Sequence, residues 1–294
     1  MTYVSFLSFF VLGLTLGIVY VLLSEGFALL YGVAGVLNGS YGALYMVVGY
    51  STFLFFFYFK LGILASIFAS LLLVAFLSYL IQKYIADERN TLDALFLTLA
   101  FAFVLQYLVS FLQCSSAFRS SCQYPAFVPV FINGSTTFLG VSIFNQYLVA
   151  DGITIAILLA LWVVLSKTKI GKAIRAVSQD KLAASLVGIN PMRVILLTSV
   201  ISAVMAGVSS VFLTSYQTLD PTIGWNIITL AFAIVVIGGL GSLKGQILAS
   251  FILAYARVYV LLFYNPLLAD FVSLALLIVV LLVRPQGIFG KEVV

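Results

Sequence analysis

Residues 171–194, GKAIRAVSQDKLAASLVGINPMRV, interrupt an apolar pattern and thereby indicate the fold of the whole chain. From Lys167 to Arg193 the chain carries six basic residues and a single acid, Asp180. Apolar runs at 147–166 and 194–214 flank this loop, and each has the roughly 20 residues that a helix needs to cross a bilayer. The stretch is therefore interpreted as a polar loop between two membrane-spanning helices.

The composition extends this interpretation to all 294 residues. Hydrophobic residues make up 64% of the chain and charged residues 8%, whereas soluble proteins average about 25% charged residues. A helix satisfies its backbone hydrogen bonds internally, without water. We therefore predict an all-α fold: a polytopic transmembrane bundle, in the plasma or inner membrane of the cell.

Ten apolar segments are candidates for membrane spans, and about eight to ten crossings are expected. The second segment is only about half a bilayer long and contains three glycines, so a broken or re-entrant helix is expected there. The segments are 6–23, 25–37, 42–59, 61–82, 93–112, 147–166, 194–214, 226–241, 246–264 and 267–284.

Positive charges predict which loops face the cytoplasm, because Lys and Arg in short loops are retained on that side. This places 83–89, the loop 167–193 and the end of the chain from Arg284 inside the cell. Residues 113–146 then form an external loop that contains both cysteines of the chain. Cys114 and Cys122 either form a disulfide in an oxidising compartment or remain two free thiols.

Several kinds of chemistry are excluded by the residues that the chain lacks. It has no histidine and no phosphate-binding G-x-x-x-x-G-K-[ST] run. No catalytic residue, metal site or cofactor is therefore expected; the chain is not an enzyme, and any ATP must bind to another chain. The net charge of +5 is explained by cytoplasmic anchoring in the membrane, so no nucleic-acid partner is expected.

A short cytoplasmic helix is predicted inside the basic loop, from about Ser178 to Ile189. Ser178 is the expected N-cap, Asp180 lies in the first turn, where the helix dipole favours an acid, and Gly188 ends the helix. Apolar side chains recur on one face at Leu182, Leu186 and Ile189.

Two interpretations of this helix remain open. It either rests on anionic lipid, attracted by the basic residues around it, or docks into a groove of a cytoplasmic partner. Ala183 and Ala184 favour docking, because small residues permit close approach but offer lipid little surface to bury.

Motifs along most of the chain resemble those of a known family. The run Leu182-Ala183-Ala184-x-x-x-Gly188 is similar to the E-A-A-x-x-x-G coupling loop of ABC importer permeases, with Leu182 in place of the acid. GGLGS at 238–242 and VRPQGIFG at 283–290 resemble the GGxGS and VRPQGLFG signatures of branched-chain amino acid permeases. YGVAGVLNGSYGALYMVVGY at 31–50 is similar to that family's YGxxxxxNFAHGxxYMxGAY. The chain thus resembles an H-type, inner-membrane permease subunit of the branched-chain amino acid ABC importers.

The resemblance implies that residues 1–294 form a single permease domain, built from two inverted five-helix repeats. It implies a second homologous permease subunit, two cytoplasmic ATPase subunits and an external solute-binding protein as partners, in a lipid bilayer. The implied function is ATP-driven uptake of branched-chain or other amino acids, or of a similar small polar solute, with this chain forming half of the path. The alternative is a stand-alone, ion- or proton-coupled secondary carrier.

Four polar residues are candidates for the substrate path. Glu25 is an acid predicted at membrane depth, where a charge costs about 2.5–3.5 kcal/mol. It either contacts the ammonium group of a substrate, pairs with Arg257, or snorkels to water. Asn38, Ser40 and Tyr41 lie between two spans, where pore lining and ordinary loop chemistry explain them equally well.

Overall fold

The computed structural model describes residues 3–85, 91–113, 128–130, 132, 134–138, 141–215, 218–239, 241–265, 268–284 and 286–289. In this part of the chain, eleven helices and two short strands follow one another. They are α1 (Tyr3–Ala34), α2 (Tyr41–Phe57), α3 (Ile63–Ile85), α4 (Thr91–Gln113), β1 (Ser135–Phe138), β2 (Val141–Phe144), α5 (Asn145–Lys167), α6 (Lys169–Gln179), α7 (Lys181–Leu186), α8 (Pro191–Leu213), α9 (Ile223–Gly238), α10 (Leu243–Phe263) and α11 (Ala269–Val283).

The helices confirm the predicted polytopic membrane bundle. Six of them, α1, α3, α4, α5, α8 and α10, are long and apolar enough to cross a membrane, and α2, α9 and α11 are shorter apolar helices. Helices α6 and α7 occupy the basic loop between α5 and α8.

The predicted break near residue 25 is wrong, because α1 runs without interruption from Tyr3 to Ala34. The Ser24 hydroxyl donates to the Val21 carbonyl of the same helix at 3.1 Å, so it stays within the helix. The helix ends instead at Gly35, whose φ of +72° is a left-handed conformation that glycine adopts without steric cost. The Gly35 N–H donates to the Tyr31 carbonyl at 2.9 Å and closes the last turn.

The chain packs into two compact units, each built from segments distant in sequence. The first unit comprises Met1–Ala28, Val130–Leu158 and Thr229–Val294. The second unit comprises Leu29–Pro129 and Leu159–Ile228. Helices α1, α5 and α9 therefore contribute residues to both units.

In the first unit, glycines allow α1 to approach α10 closely. A Cβ atom at Gly13 would overlap the ring of Tyr255, and one at Gly17 would overlap the ring of Phe251. Small residues at such contacts are typical of membrane helices, whose association depends on close packing. The segment that follows α11 packs here too, since the Ile288 N–H donates to the Ile237 carbonyl of α9 at 2.8 Å.

In the second unit, hydroxyl groups join α2, α3 and α8. The Thr52 and Ser70 hydroxyl oxygens lie 2.7 Å apart, and Ser78 Oγ donates to the Ser199 carbonyl at 2.9 Å. Such bonds between helices stabilise membrane bundles modestly, by about 0.6–2 kcal/mol each.

A β-hairpin lies in the segment that is predicted to be external, and no sequence pattern had predicted it. Strands β1 and β2 pair antiparallel, with Ser135 opposite Phe144 and Phe138 opposite Val141. Cys114 and Cys122 lie outside the described residues, so their disulfide remains a prediction.

Candidate translocation path and coupling segment

The turn between α1 and α2 holds three of the four predicted path residues. Asn38 Oδ1 accepts hydrogen bonds from the Ser40 N–H at 2.9 Å and from the Ser40 hydroxyl at 2.6 Å. The Gly39 N–H donates to Thr98 Oγ1 of α4 at 3.0 Å. Asn38, Ser40 and Tyr41 are all buried. The structure therefore brings them together in one tight, internally bonded turn of the second unit.

A small polar cavity of about 90 Å³ lies beside this turn. Asn38, Gln82, Thr98 and Lys181 supply its polar lining, and the rest comes from Ala34, Val36, Leu37, Ile85, Ala94 and Ile195. This volume is large enough to hold ordered water. Gln82 and Thr98 were not among the predicted path residues, although a polar residue inside an apolar span is a signal that could have indicated them.

Glu25 belongs to the first unit, where it is buried and partnered by Gln246 of α10. With the amide nitrogen turned toward the carboxylate, Gln246 Nε2 lies 3.1 Å from both Glu25 oxygens. The neighbouring hydroxyls of Ser24 and Ser250 lie 3.2 Å apart.

This geometry excludes two of the three predicted roles of Glu25. Pairing with Arg257 is wrong, because Arg257 follows Gln246 by eleven residues on the same helix, about 16 Å along its axis. Snorkelling is wrong as well, since Glu25 is only 5% exposed. Contact with a substrate remains a prediction.

The basic loop forms two helices where one was predicted. Helix α6 begins after Thr168, whose hydroxyl oxygen accepts from the Gly171 N–H at 3.1 Å, and it includes Ser178. Ser178 is therefore not an N-cap; its hydroxyl donates to the Arg175 carbonyl at 2.9 Å. Asp180 is the cap of α7 and accepts from the N–H groups of Leu182 and Ala183 at 2.7 and 3.0 Å. The predicted N-cap of this helix was thus two residues too early, although both residues are good capping residues.

Helix α7 displays large apolar side chains on its outer side. Leu182 is 78% exposed, Leu186 is 88% exposed, and Val187, just past the helix, is 74% exposed. Ile189 does not belong to this exposed set, because the chain turns at Gly188, which has φ +83°, and Ile189 packs inward.

The opposite side of α7 sits on a small apolar cluster of the second unit, which we call the α7 seat: Val33, Ile174, Val177 and Ala184. Ala184 is the buried residue through which α7 enters the seat, and its small side chain lets the helix lie close to α6. Ala184 was expected to permit close approach to a partner protein. In the structure it permits close packing within this chain. Ala183 is exposed.

The chain is similar to transport proteins along nearly its whole length. The profile of the family described as "Branched-chain amino acid transport system / permease component" matches residues 9–281. The "High-affinity branched-chain amino acid transport system permease protein LivH" of Salmonella typhimurium is 33% identical over 95% of this chain and 94% of its own length. The corresponding permease protein LivM of Escherichia coli K12 is 26% identical over 93% of this chain and 68% of its own length.

A solved structure shares the fold. The structure described as PsaBC from Streptococcus pneumoniae in complex with Fab aligns with a TM-score of 0.57, covering 96% of this chain and 94% of that chain. Its sequence identity is 15%, so this likeness concerns the fold alone. The family match and the LivH relative carry the assignment: this chain belongs to the family of branched-chain amino acid transport permeases.

Proposed function

We propose that the chain is a permease subunit of an ATP-driven ABC importer and forms half of a path for branched-chain or related amino acids. Family membership supports the permease role. The single observation that supports ATP coupling is the exposed apolar surface of α7, formed by Leu182, Leu186 and Val187.

The exposed surface of α7 suits a protein partner better than lipid. Helix α7 has six residues, so it offers three apolar side chains on a very short element, and its inner side is already occupied by the α7 seat. Large apolar groups that stand exposed outside a membrane span mark an interaction site. In this proposal they enter a groove of a cytoplasmic ATPase, and the basic residues around them keep the loop on that side of the membrane.

The path itself is proposed to lie between this chain and a second, related permease. Glu25, Asn38, Ser40 and Tyr41 are the proposed path residues of this chain. Asn38 and Ser40 bond to each other in the described structure, so they act in this proposal by shaping the turn at the start of α2. Glu25 supplies the carboxyl group that would contact the ammonium group of an amino acid. An external binding protein would deliver the solute.

The docking proposal is tested with the double variant Leu182→Asp/Leu186→Asp. We expect it to lose co-purification with the ATPase and ATP-dependent uptake of radiolabelled leucine, because two carboxylates replace the apolar contact. The matched control is Leu182→Met/Leu186→Met, which keeps the apolar surface and should retain both. ATPase binding unchanged by the Asp pair would contradict the docking site. Leucine uptake by the purified chain alone under a proton gradient would overturn the proposal in favour of a secondary carrier.

A further inference from the structure

Lys181 makes a contact that no sequence motif indicates. It is the first residue of α7, and its Nζ donates a hydrogen bond to the Ala34 carbonyl at 2.5 Å. Ala34 is the last residue of α1, 147 positions away in sequence. The contact joins the short cytoplasmic helix to the end of a membrane-spanning helix, within the second unit.

The donor, a lysine ammonium group, and the acceptor, a carbonyl at the end of a helix, make this a strong and directional hydrogen bond. The last carbonyls of a helix have no partner within the helix and carry its partial negative charge. A lysine ammonium group satisfies such a carbonyl and also opposes the helix dipole, and hydrogen bonds with a charged donor are roughly twice as strong as neutral ones. The backbone of Lys181 is itself held in place, because Lys181 is the first residue of α7 and Asp180 caps that helix.

Apolar packing also holds α7 in place. Ala184 of α7 and Val33 of α1 belong to the same apolar cluster, the α7 seat, and apolar packing of this kind has no preferred direction. Apolar surfaces alone would hold α7 near α1 without fixing its position along the axis. The bond from Lys181 supplies the fixed point.

The turn that leads into α2 begins directly after Ala34. Gly35 ends α1, Asn38 and Ser40 bond to each other, and the Gly39 N–H is held by Thr98 of α4. Lys181 and Asn38 also line the same cavity of about 90 Å³. If Lys181 moves, it therefore pulls on the Ala34 carbonyl, and only a few backbone residues separate Ala34 from Asn38 and Ser40 in the turn.

We propose that Lys181 is a positioning residue that links α7 to the end of α1, so that a movement of α7 is transmitted to the turn 35–41. The transmission role rests on the proposed function, since it requires an ATPase that moves α7. Lys181 touches neither ATP nor solute in this proposal; it acts through Ala34.

The test uses the complete importer, with its second permease, ATPases and binding protein, in proteoliposomes. Lys181→Met removes the ammonium group but keeps the length of the side chain. We expect the complex to assemble and its basal ATP hydrolysis to stay within about twofold, while leucine taken up per ATP hydrolysed falls by roughly tenfold, as for loss of one charge-assisted hydrogen bond. Lys181→Arg keeps the donor and the charge and should restore most of the coupling.

Lys172→Met is the matched control, because Lys172 is an exposed lysine of α6 in the same loop. It should leave the coupling ratio unchanged. A ratio in Lys181→Met equal to that of the unmodified importer overturns the proposal, and so does an equal loss in the Lys172→Met control, which would indicate a general effect of loop charge.

A second measurement separates this inference from the proposed function. Amide hydrogen exchange of the purified chain in nanodiscs needs no ATPase, and Lys181→Met should accelerate exchange in residues 35–41 while leaving α8 unchanged. If the unmodified importer neither binds an ATPase nor takes up leucine, the proposed function fails, but faster exchange at 35–41 still supports the link. Unchanged exchange there overturns it.

Discussion

Glu25 and Asn38 are both buried polar side chains, yet they obtain their hydrogen bonds in different ways. Glu25 lies inside α1 and depends on Gln246, more than two hundred residues further along the chain. Asn38 lies just past α1 and bonds to Ser40, two residues away. The distant partner fixes how two helices pack, whereas the near partner only shapes a turn. The cost of removing a partner should therefore differ at the two places.

The largest effect is expected from Gln246→Leu. This change leaves the Glu25 carboxyl group buried without its amide partner, and a buried polar group left unsatisfied costs about 1–3 kcal/mol. We expect a lower midpoint of thermal unfolding in detergent and a poor yield of folded chain. An unchanged midpoint would mean that the amide does not hold the carboxylate.

The pair variant Glu25→Leu/Gln246→Leu is its control. Removing both polar groups should recover most of the stability, because nothing buried is left unpaired. Leucine uptake by the assembled importer should be lost, since the proposed ammonium contact is gone. Restored stability together with normal uptake would show that Glu25 only joins α1 to α10 and takes no part in the path.

A smaller effect is expected from Asn38→Ala, which removes the acceptor for two donors of Ser40. We expect a loss of about 1–2 kcal/mol in the free energy of unfolding, as for loss of a helix N-cap, and faster amide exchange in residues 39–42. Asn38→Asp keeps an acceptor oxygen and should lose less. Equal losses in the two variants would contradict the described bond.

The smallest effect is expected from Thr98→Val, which keeps the shape of the side chain but removes the acceptor for the Gly39 N–H. A loss of about 1 kcal/mol is expected, measured as a shift in the unfolding midpoint. Thr98→Ser keeps the hydroxyl and should lie close to the unmodified chain. If valine proves neutral, the Gly39 N–H finds another acceptor and α4 does not anchor the turn.

The same contrast explains what the sequence could predict. Local patterns were sufficient for the apolar helices and for a capped, glycine-terminated helix in the basic loop. They failed at residue 25, where Ser24, Glu25 and Gly26 together indicate a break. The helix continues there because Gln246 and Ser250 receive its polar groups, and a partner on α10 leaves no trace in the sequence around residue 25.

The helix caps of the basic loop show a second limit. Ser178 and Asp180 are both good capping residues, and sequence alone does not say which one begins a helix. The answer depends on how far α6 extends, and α6 runs to Gln179, so Ser178 lies inside its last turn. The bond from Lys181 to Ala34 was beyond prediction for another reason, because any of the nearby lysines has the same local chemistry.

The exposed leucines of α7 have a consequence for a chain that is not yet assembled. Until the proposed ATPase binds, Leu182, Leu186 and Val187 remain exposed, and chaperones and proteases recognise exposed apolar surface. Binding of the ATPase would cover this apolar surface. We propose that this surface of α7 docks on the ATPase. The same surface would thus let a cell distinguish assembled transporters from surplus subunits.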